Sequence, residues 1–528
     1  MAASAAAAGA LAAPAVGRAQ SSQVLRFIPQ ADLAVLDPVW TTAYVTRNHG
    51  YLVFDTLYGQ AGPEGGFVAS PQMLAGHSVE DDGRTWRLVL RDGLLFHDGE
   101  PVLARDCVAS IRRWGARDSL GQTLLGRTDE LSAPDDKTIR FRLKRPFPLL
   151  PYALGKIGSN MCAIMPERLA ATDPFKQVSE MVGSGPFRFL ADERVSGSRV
   201  AYERFRGYRP REGDRPPEST AGPKVARFER VEWNVIPDPA TAAAALQAGE
   251  ADGWELPPGD LLPMLTRHRT LKLDLVYDMG SAMLLRPNQL YPPFDNPAVR
   301  RALLGVVDQT EVMIAVVGTD PALRRVPCGF FPPGSPMASD AGMASLAMGK
   351  PDYGRAKREL RAAGYKGEAV AFMVPQDYPT LKAASDVAAD MMKRAGMTVD
   401  YQAMDWGTLV QRRASKKPPA QGGWNAFCTD ASGDDLATPA TDLPLRGDGG
   451  RAWAGWPTSP RIEALRDEWL DAPDLAARKR IAAEIQAQAF EDVPYLPLGL
   501  FYGPSAYRAD LTGILRGFPI FWNVRRQA

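Results

Sequence analysis

The spacing of apolar and polar positions changes several times along the chain, and each change marks an element. Thr85-Trp86-Arg87-Leu88-Val89-Leu90 mostly alternates and ends at Arg91-Asp92-Gly93, which predicts a strand and a turn. Thr138 to Leu143 alternates in the same way and is stopped by Pro146 and Pro148. Between these strands Val108, Ile111 and Trp114 recur at helical spacing after Pro101. Gly183-Ser184-Gly185-Pro186 reads as a tight turn, and Gly207 to Pro223 as a surface loop. Phe228 to Ile236 predicts a strand with Val231, Trp233 and Val235 on one face. Ala240 to Gly249 predicts an alanine-rich helix stopped by its glycine.

From about Asp295 the period becomes helical. Asn296 caps, Pro297 takes the first helical position, and Val299, Ala302, Leu303, Val306 and Val307 form one apolar stripe. Asp308 with Glu311 opens a second helix. Tyr353 to Ala363 closes at Gly364, Ser385 to Ala395 closes at Gly396, and Met397 to Tyr401 returns to a strand. Asp474 caps a long last helix to about Phe490, followed by extended chain at Tyr495 to Leu498 and an aromatic tail from Phe518 to Val524. Helix, glycine and strand in repetition predict an α/β lobe with partly parallel strands, while the earlier part is mixed α+β.

Composition narrows the function. With 528 residues, 62 Lys plus Arg against 61 Asp plus Glu, and a net charge of +1, no global field draws the chain to nucleic acid or an anionic membrane. The charge balance points to a small molecule or a protein as partner. Residues 1–19 differ from the rest: Met1 to Ala13 is almost all alanine, and Val16-Gly17-Arg18-Ala19 places small residues at the −3 and −1 positions of a signal-peptide cleavage site. The basic first part of such a peptide is missing, so the true start is expected upstream. No other stretch reaches the roughly 18 apolar residues of a membrane span. Export permits disulfides, so Cys107, Cys162, Cys328 and Cys428 are either pairs (107 with 162, 328 with 428) or four buried thiols.

Catalytic and metal signatures are missing. The histidines His49, His77, His97 and His268 have no metal-ligand spacing. There is no nucleophile elbow, and Met348-Gly349-Lys350-Pro351 lacks the first glycine and the hydroxyl residue of a phosphate-binding loop. Asp81-Asp82 and Asp135-Asp136 flank turns. The chain is therefore read as a non-enzyme without cofactor or metal, the alternative being an exported hydrolase whose carboxylates lie far apart in sequence.

Pro71 to Ala75, Asp82 to Gly93 and Phe96 to Asp106 together resemble the signature of the extracellular solute-binding proteins of family 5, which serve oligopeptide, dipeptide and nickel ABC importers. Leu88 and Cys107 stand where that family often has phenylalanine and valine. Gly183 to Phe187, Ala245 to Asp252, Asn296 to Leu303 and Asp492 to Leu498 resemble further motifs in the family's order. Each of these motifs is a turn, bend or packed helix, and so serves folding rather than ligand binding.

The resemblance implies a two-lobe periplasmic-binding-protein clamp of type II. Residues 20–274 with 497–528 would form lobe I, 48–178 its extra subdomain, and 275–496 lobe II, with crossings near Tyr277 and Pro497. It implies a periplasmic, monomeric receptor that hands a short peptide or amine-bearing solute to an ABC permease; an opine, a glutathione-like compound or a metal chelate are the non-peptide alternatives. Aligned on Trp424, Asp434 takes the place of the family's amine-anchoring aspartate, Asp430-Ala431 replaces Gly-Trp, and Asp435 replaces tyrosine. Asp434 and Asp435 either face the cleft or lie in a solvated loop. Trp424 and Trp406 either stack on a ligand or pack in the core. Tyr44 and Asn48, in the first-helix region, are the candidates from lobe I.

Overall fold

The computed structural model describes residues 23–62, 68–178, 180–213, 216–347 and 349–527, so the predicted signal peptide lies outside the described residues. Two large sheets organise the chain. The first has the strand order 271–274, 505–508, 253–254, 24–28, 230–234, 199–204, 187–189. Its centre is Val24–Ile28, parallel to both Arg230–Asn234 and Gly253–Trp254. The predicted alanine-rich helix forms as Pro239–Ala248: Asp238 accepts the Thr241 N–H, and Gly249, at φ +78°, ends it.

The second sheet has the order 324–325, 496–501, 281–287, 426–432, 369–375, 398–404. Ala369–Pro375 is parallel to Thr398–Met404, and the helix Pro379–Arg394 joins them. That helix starts earlier than the pattern predicts because Pro379 occupies its first turn. A third, antiparallel sheet of 74–80, 85–90, 138–143 and 128–132 carries the helix Ala104–Gly115. Its strands fall within the stretch 48–178.

The chain passes from the first large sheet to the second at 275–280 and returns at 502–504. The sequence places the return near Pro497, but Leu496–Phe501 pairs with Ser281–Pro287 and so belongs to the second sheet. Every residue of that strand is buried, so it shows no alternation to mark its end.

Gly183-Ser184-Gly185-Pro186 has a structural task. The Gly185 N–H donates to the Val53 carbonyl at 2.8 Å. A Cβ on Gly183 would stand 2.1 Å from that same oxygen, and one on Gly185 2.6 Å from the Leu52 oxygen. The turn therefore lies directly on the end of the helix Tyr44–Val53, which faces the cleft described below.

All four cysteines are free and buried, so the pairing alternative is not realised. Burial pushes the Cys328 and Cys428 thiols up to about 12. A thiol reagent at pH 8 is expected to label none of the four in the folded protein and all four in denaturant, because the thiolate is the reactive form. Fast labelling of the native protein would contradict this packing.

Candidate ligand-binding cleft

The strand Ala426–Ser432, Ala-Phe-Cys-Thr-Asp-Ala-Ser, is apolar or small except for Asp430. It pairs along its length with Ser281–Pro287, and the register sets Asp430 opposite Met283. Asp430 is half-buried and borders a chamber of about 40 Å³ between the two large sheets. Gln30 and Tyr44 face it from one side; Tyr378, Trp406, Arg413 and Trp453 face it from the other. A smaller pocket of about 20 Å³ beside it is also bordered by Asp430, Tyr44 and Gln30, with Tyr277. Burial first, then the nearby Glu255 charge, raises the Asp430 carboxyl to about 6, against the pull of Arg47 and Arg413. No described residue forms an ion pair with Asp430.

A buried network stands behind the chamber. Glu255, 0% exposed, accepts from Asn48 Nδ2 at 3.1 Å, Tyr277 O–H at 2.7 Å and the Gln30 N–H at 2.9 Å. Arg47 donates to Asn48 Oδ1 and lies over the rings of Tyr44 and Phe518 at 4.5 and 4.3 Å. The first helix thus presents Tyr44 to the chamber and uses its next turn to hold the Glu255 and Arg47 charges.

Several contacts join the two sides. Tyr44 O–H donates to Asp435 Oδ2 at 2.8 Å and accepts from the Ser432 N–H. Tyr378 O–H donates to Gln30 Oε1 at 2.9 Å. Arg413 Nη2 and Trp453 Nε1 both donate to Thr42 Oγ1, at 3.0 and 3.2 Å. At the rim Arg127 and Arg145 both pair with Asp471, at 2.7 and 2.6 Å. The geometry is that of a closed clamp.

Outward from the chamber, and sharing Thr42, Arg413, Leu443 and Trp453 with it, lies a cavity of about 440 Å³. Together they offer an inner recess sized for a head group and an outer space sized for a small ligand, for which pockets run about 300–1,000 Å³. Among the described residues no cluster of three or more His, Cys, Asp or Glu is placed to hold a metal ion. No helix among them is long and apolar enough to cross a membrane.

The model of the bacterial extracellular solute-binding proteins, family 5, matches residues 69–439. The chain belongs to this family. A relative from Sinorhizobium fredii, named a probable peptide ABC transporter periplasmic-binding protein, is 38% identical over 99% of this chain and 97% of its own length. A glutathione-binding protein of Pectobacterium atrosepticum is 24% identical, covering 83% of this chain and 81% of the relative. Among solved structures, the ABC transporter-associated periplasmic binding protein DppA of Helicobacter pylori, in complex with the peptide STSA, superposes with a TM-score of 0.77 at 20% identity, covering 96% of this chain and 98% of that one. The binding protein AgaA of A. tumefaciens R10, in complex with agropinic acid, gives 0.77 at 20% identity, with 96% and 99% covered. Both have the fold described above, a two-lobe α/β clamp.

Within this family-5 clamp the residues singled out from the sequence have separate fates. Tyr44 and Trp406 border the inner chamber. Asp435 borders it too, but its carboxylate already accepts from Tyr44 and from the Ser159 N–H at 3.2 Å. Asp434 borders neither inner pocket; its Oδ1 is buried with no partner among the described residues. Burial, with Asp278 and Asp435 nearby, raises its carboxyl to about 7. Trp424 is 0% exposed and packs on Phe427 and Trp456, at ring distances of 5.0 and 5.7 Å, so it lies in the core. Asn48 sits behind the chamber and positions Glu255. The sequence pattern alone does not single out Asp430 or Arg413. The signal for Asp430 was a single charge inside an otherwise apolar strand.

Proposed function

We propose that this chain is the exported, periplasmic receptor of an ABC importer, that it binds a short peptide or peptide-like amine, and that Asp430 is the partner of the ligand ammonium. One observation carries the reading: a half-buried carboxylate with no ion-pair partner among the described residues borders a recess of about 40 Å³, walled by tyrosine and tryptophan rings, at the bottom of the cleft between the two lobes. A carboxylate in such a place is stabilised by an incoming cation, and the recess admits a head group while the rest of the ligand lies in the outer cavity. The name of the Sinorhizobium relative supports a peptide ligand and a permease partner. The receptor acts as a monomer, with 20–274 and the C-terminal segment forming one lobe, 48–178 its subdomain, and the span between the two crossings the other. It performs no chemistry: affinity and closure are all that delivery requires.

Native mass spectrometry of the mature protein, then a thermal-shift panel of short peptides, tests this. At a ligand concentration about 100-fold above Kd, binding stabilises by about 2.7 kcal/mol, a readable rise in Tm. Peptides with a free amine are expected to give that rise and their N-acetylated forms to lose most of it. A panel in which acetylation makes no difference removes the ammonium role, and a compound recovered chemically altered moves the chain to the enzymes.

A further inference from the structure

The outer cavity has a charge pattern opposite to that of the inner chamber. Its wall carries Arg117, Arg413, Lys416, Arg446 and Arg451 against one acid, Asp448. Two of these cations are already paired: Arg446 with Asp448 at 2.8 Å and Glu463 at 3.0 Å, and Arg451 with Asp448 at 3.7 Å. The other three have no carboxylate partner among the described residues. Arg413 is 5% exposed, donates one hydrogen bond to Thr42, and lies 5.5 and 5.3 Å from the rings of Trp406 and Trp453. Arg117 donates to the Trp40 carbonyl at 2.6 Å and lies over the Phe175 ring at 4.9 Å. Lys416 donates to the Gly450 carbonyl at 2.6 Å and lies 5.7 Å from the Trp456 ring.

Aromatic rings and carbonyls orient these cations without neutralising them. A guanidinium has five N–H donors, so the single bond of Arg413 leaves most of its capacity unused at a site almost closed to water. The whole chain is nearly neutral, at +1, so the excess is local to the cleft. Arg117 comes from the lobe built on the first sheet, while Arg413 and Lys416 come from the other. An anion between them is therefore bound by both lobes and favours the closed clamp.

We propose that the ligand is a small amphoteric solute of net negative charge, a short acidic peptide whose ammonium enters the Asp430 chamber and whose carboxylates lie along Arg413, Arg117 and Lys416. This rests on the receptor reading above and adds the charge class that the cleft selects. Lys416, exposed, meets the outermost carboxylate; Arg413, common to both spaces, meets the one nearest the amine. Fixed positive charge in a partly dry cleft rejects a basic side chain at the same place.

Calorimetric titration of the full mature chain with Ala-Glu-Glu, Ala-Gln-Gln, Ala-Lys-Lys and N-acetyl-Ala-Glu-Glu tests it. Ala-Glu-Glu is expected to bind at least tenfold more tightly than Ala-Gln-Gln, and Ala-Lys-Lys most weakly. Raised salt should weaken Ala-Glu-Glu most. Arg117→Gln and Lys416→Gln should each shrink the acidic preference about fivefold. Equal affinity for the acidic and neutral peptides, with acetylation still harmful, overturns the charge selection and leaves the receptor reading intact. An acidic preference that survives acetylation keeps the anion site and removes the ammonium role of Asp430. Failure of every acidic probe to bind overturns the proposal.

Discussion

Asp430→Asn is expected to abolish high-affinity binding of an amine ligand while leaving the empty protein as stable as before or slightly more so. The two effects have opposite signs for one reason. The carboxyl is raised to about 6 because its ionised form is desolvated and lies near Glu255. In the empty clamp that charge is a cost, and an isosteric neutral amide removes it. In the complex the same charge meets an ammonium in a closed recess. Removing one partner of such a pair costs about 2–5 kcal/mol, so Kd should rise by a factor between about 30 and several thousand. Binding should also depend on pH: the ammonium needs the ionised carboxylate, so affinity falls as pH drops below about 6, and binding in that range releases a proton. Titrations of wild type and variant at pH 5, 6 and 7.5 check both statements. An Asn variant that binds within threefold of wild type would remove Asp430 from the site.

What was legible in the sequence was set locally. Asn296 and Asp308 cap their helices as their side chains and spacing dictate, Asn296 accepting from the Ala298 N–H and Asp308 from those of Thr310 and Glu311. Gly185-Pro186 bends where only a residue without Cβ can lie on the Val53 carbonyl. Such motifs depend on a few neighbouring residues, and they carried the family resemblance. The chamber depends on long-range register. Three aspartates stand at 430, 434 and 435, and their order along the chain says nothing about which one faces the cleft. That choice follows from the pairing of Ala426–Ser432 with Ser281–Pro287 and from the place where the strand ends; a slip of one residue would exchange its two faces. Asp435 is taken by Tyr44, a residue 391 positions earlier, an engagement no local pattern encodes. Trp424 and Trp406 are equally large and rigid. Trp424 precedes the strand and packs inside, while Trp406 opens the helix Trp406–Arg412 with its N–H bonded to Asp377, and that placement brings its ring to the chamber.

Asp434→Asn is expected to stabilise the protein at pH 8 and to make little difference below about pH 4. The ordinary value of an aspartate is 3.8, and burial with two neighbouring carboxyls raises Asp434 to about 7. Between these values the folded state holds a proton that the unfolded chain has lost, so this group's contribution is full below about pH 4 and disappears as pH rises through 7. At pH 8 the wild type carries a charge whose Oδ1 has no partner among the described residues. The amide carries none, and the gain should be about 2 kcal/mol once partial exposure is allowed for. His49 and His97 act in the other direction, since burial lowers them to about 3 and 4 and the unfolded chain takes up their protons below about 6.5. They are the same in both proteins, so the difference in Tm between variant and wild type isolates Asp434. That difference should be constant above about pH 7 and fall between about pH 7 and pH 4; an Asn variant less stable at pH 8 would mean the carboxylate is held by a partner.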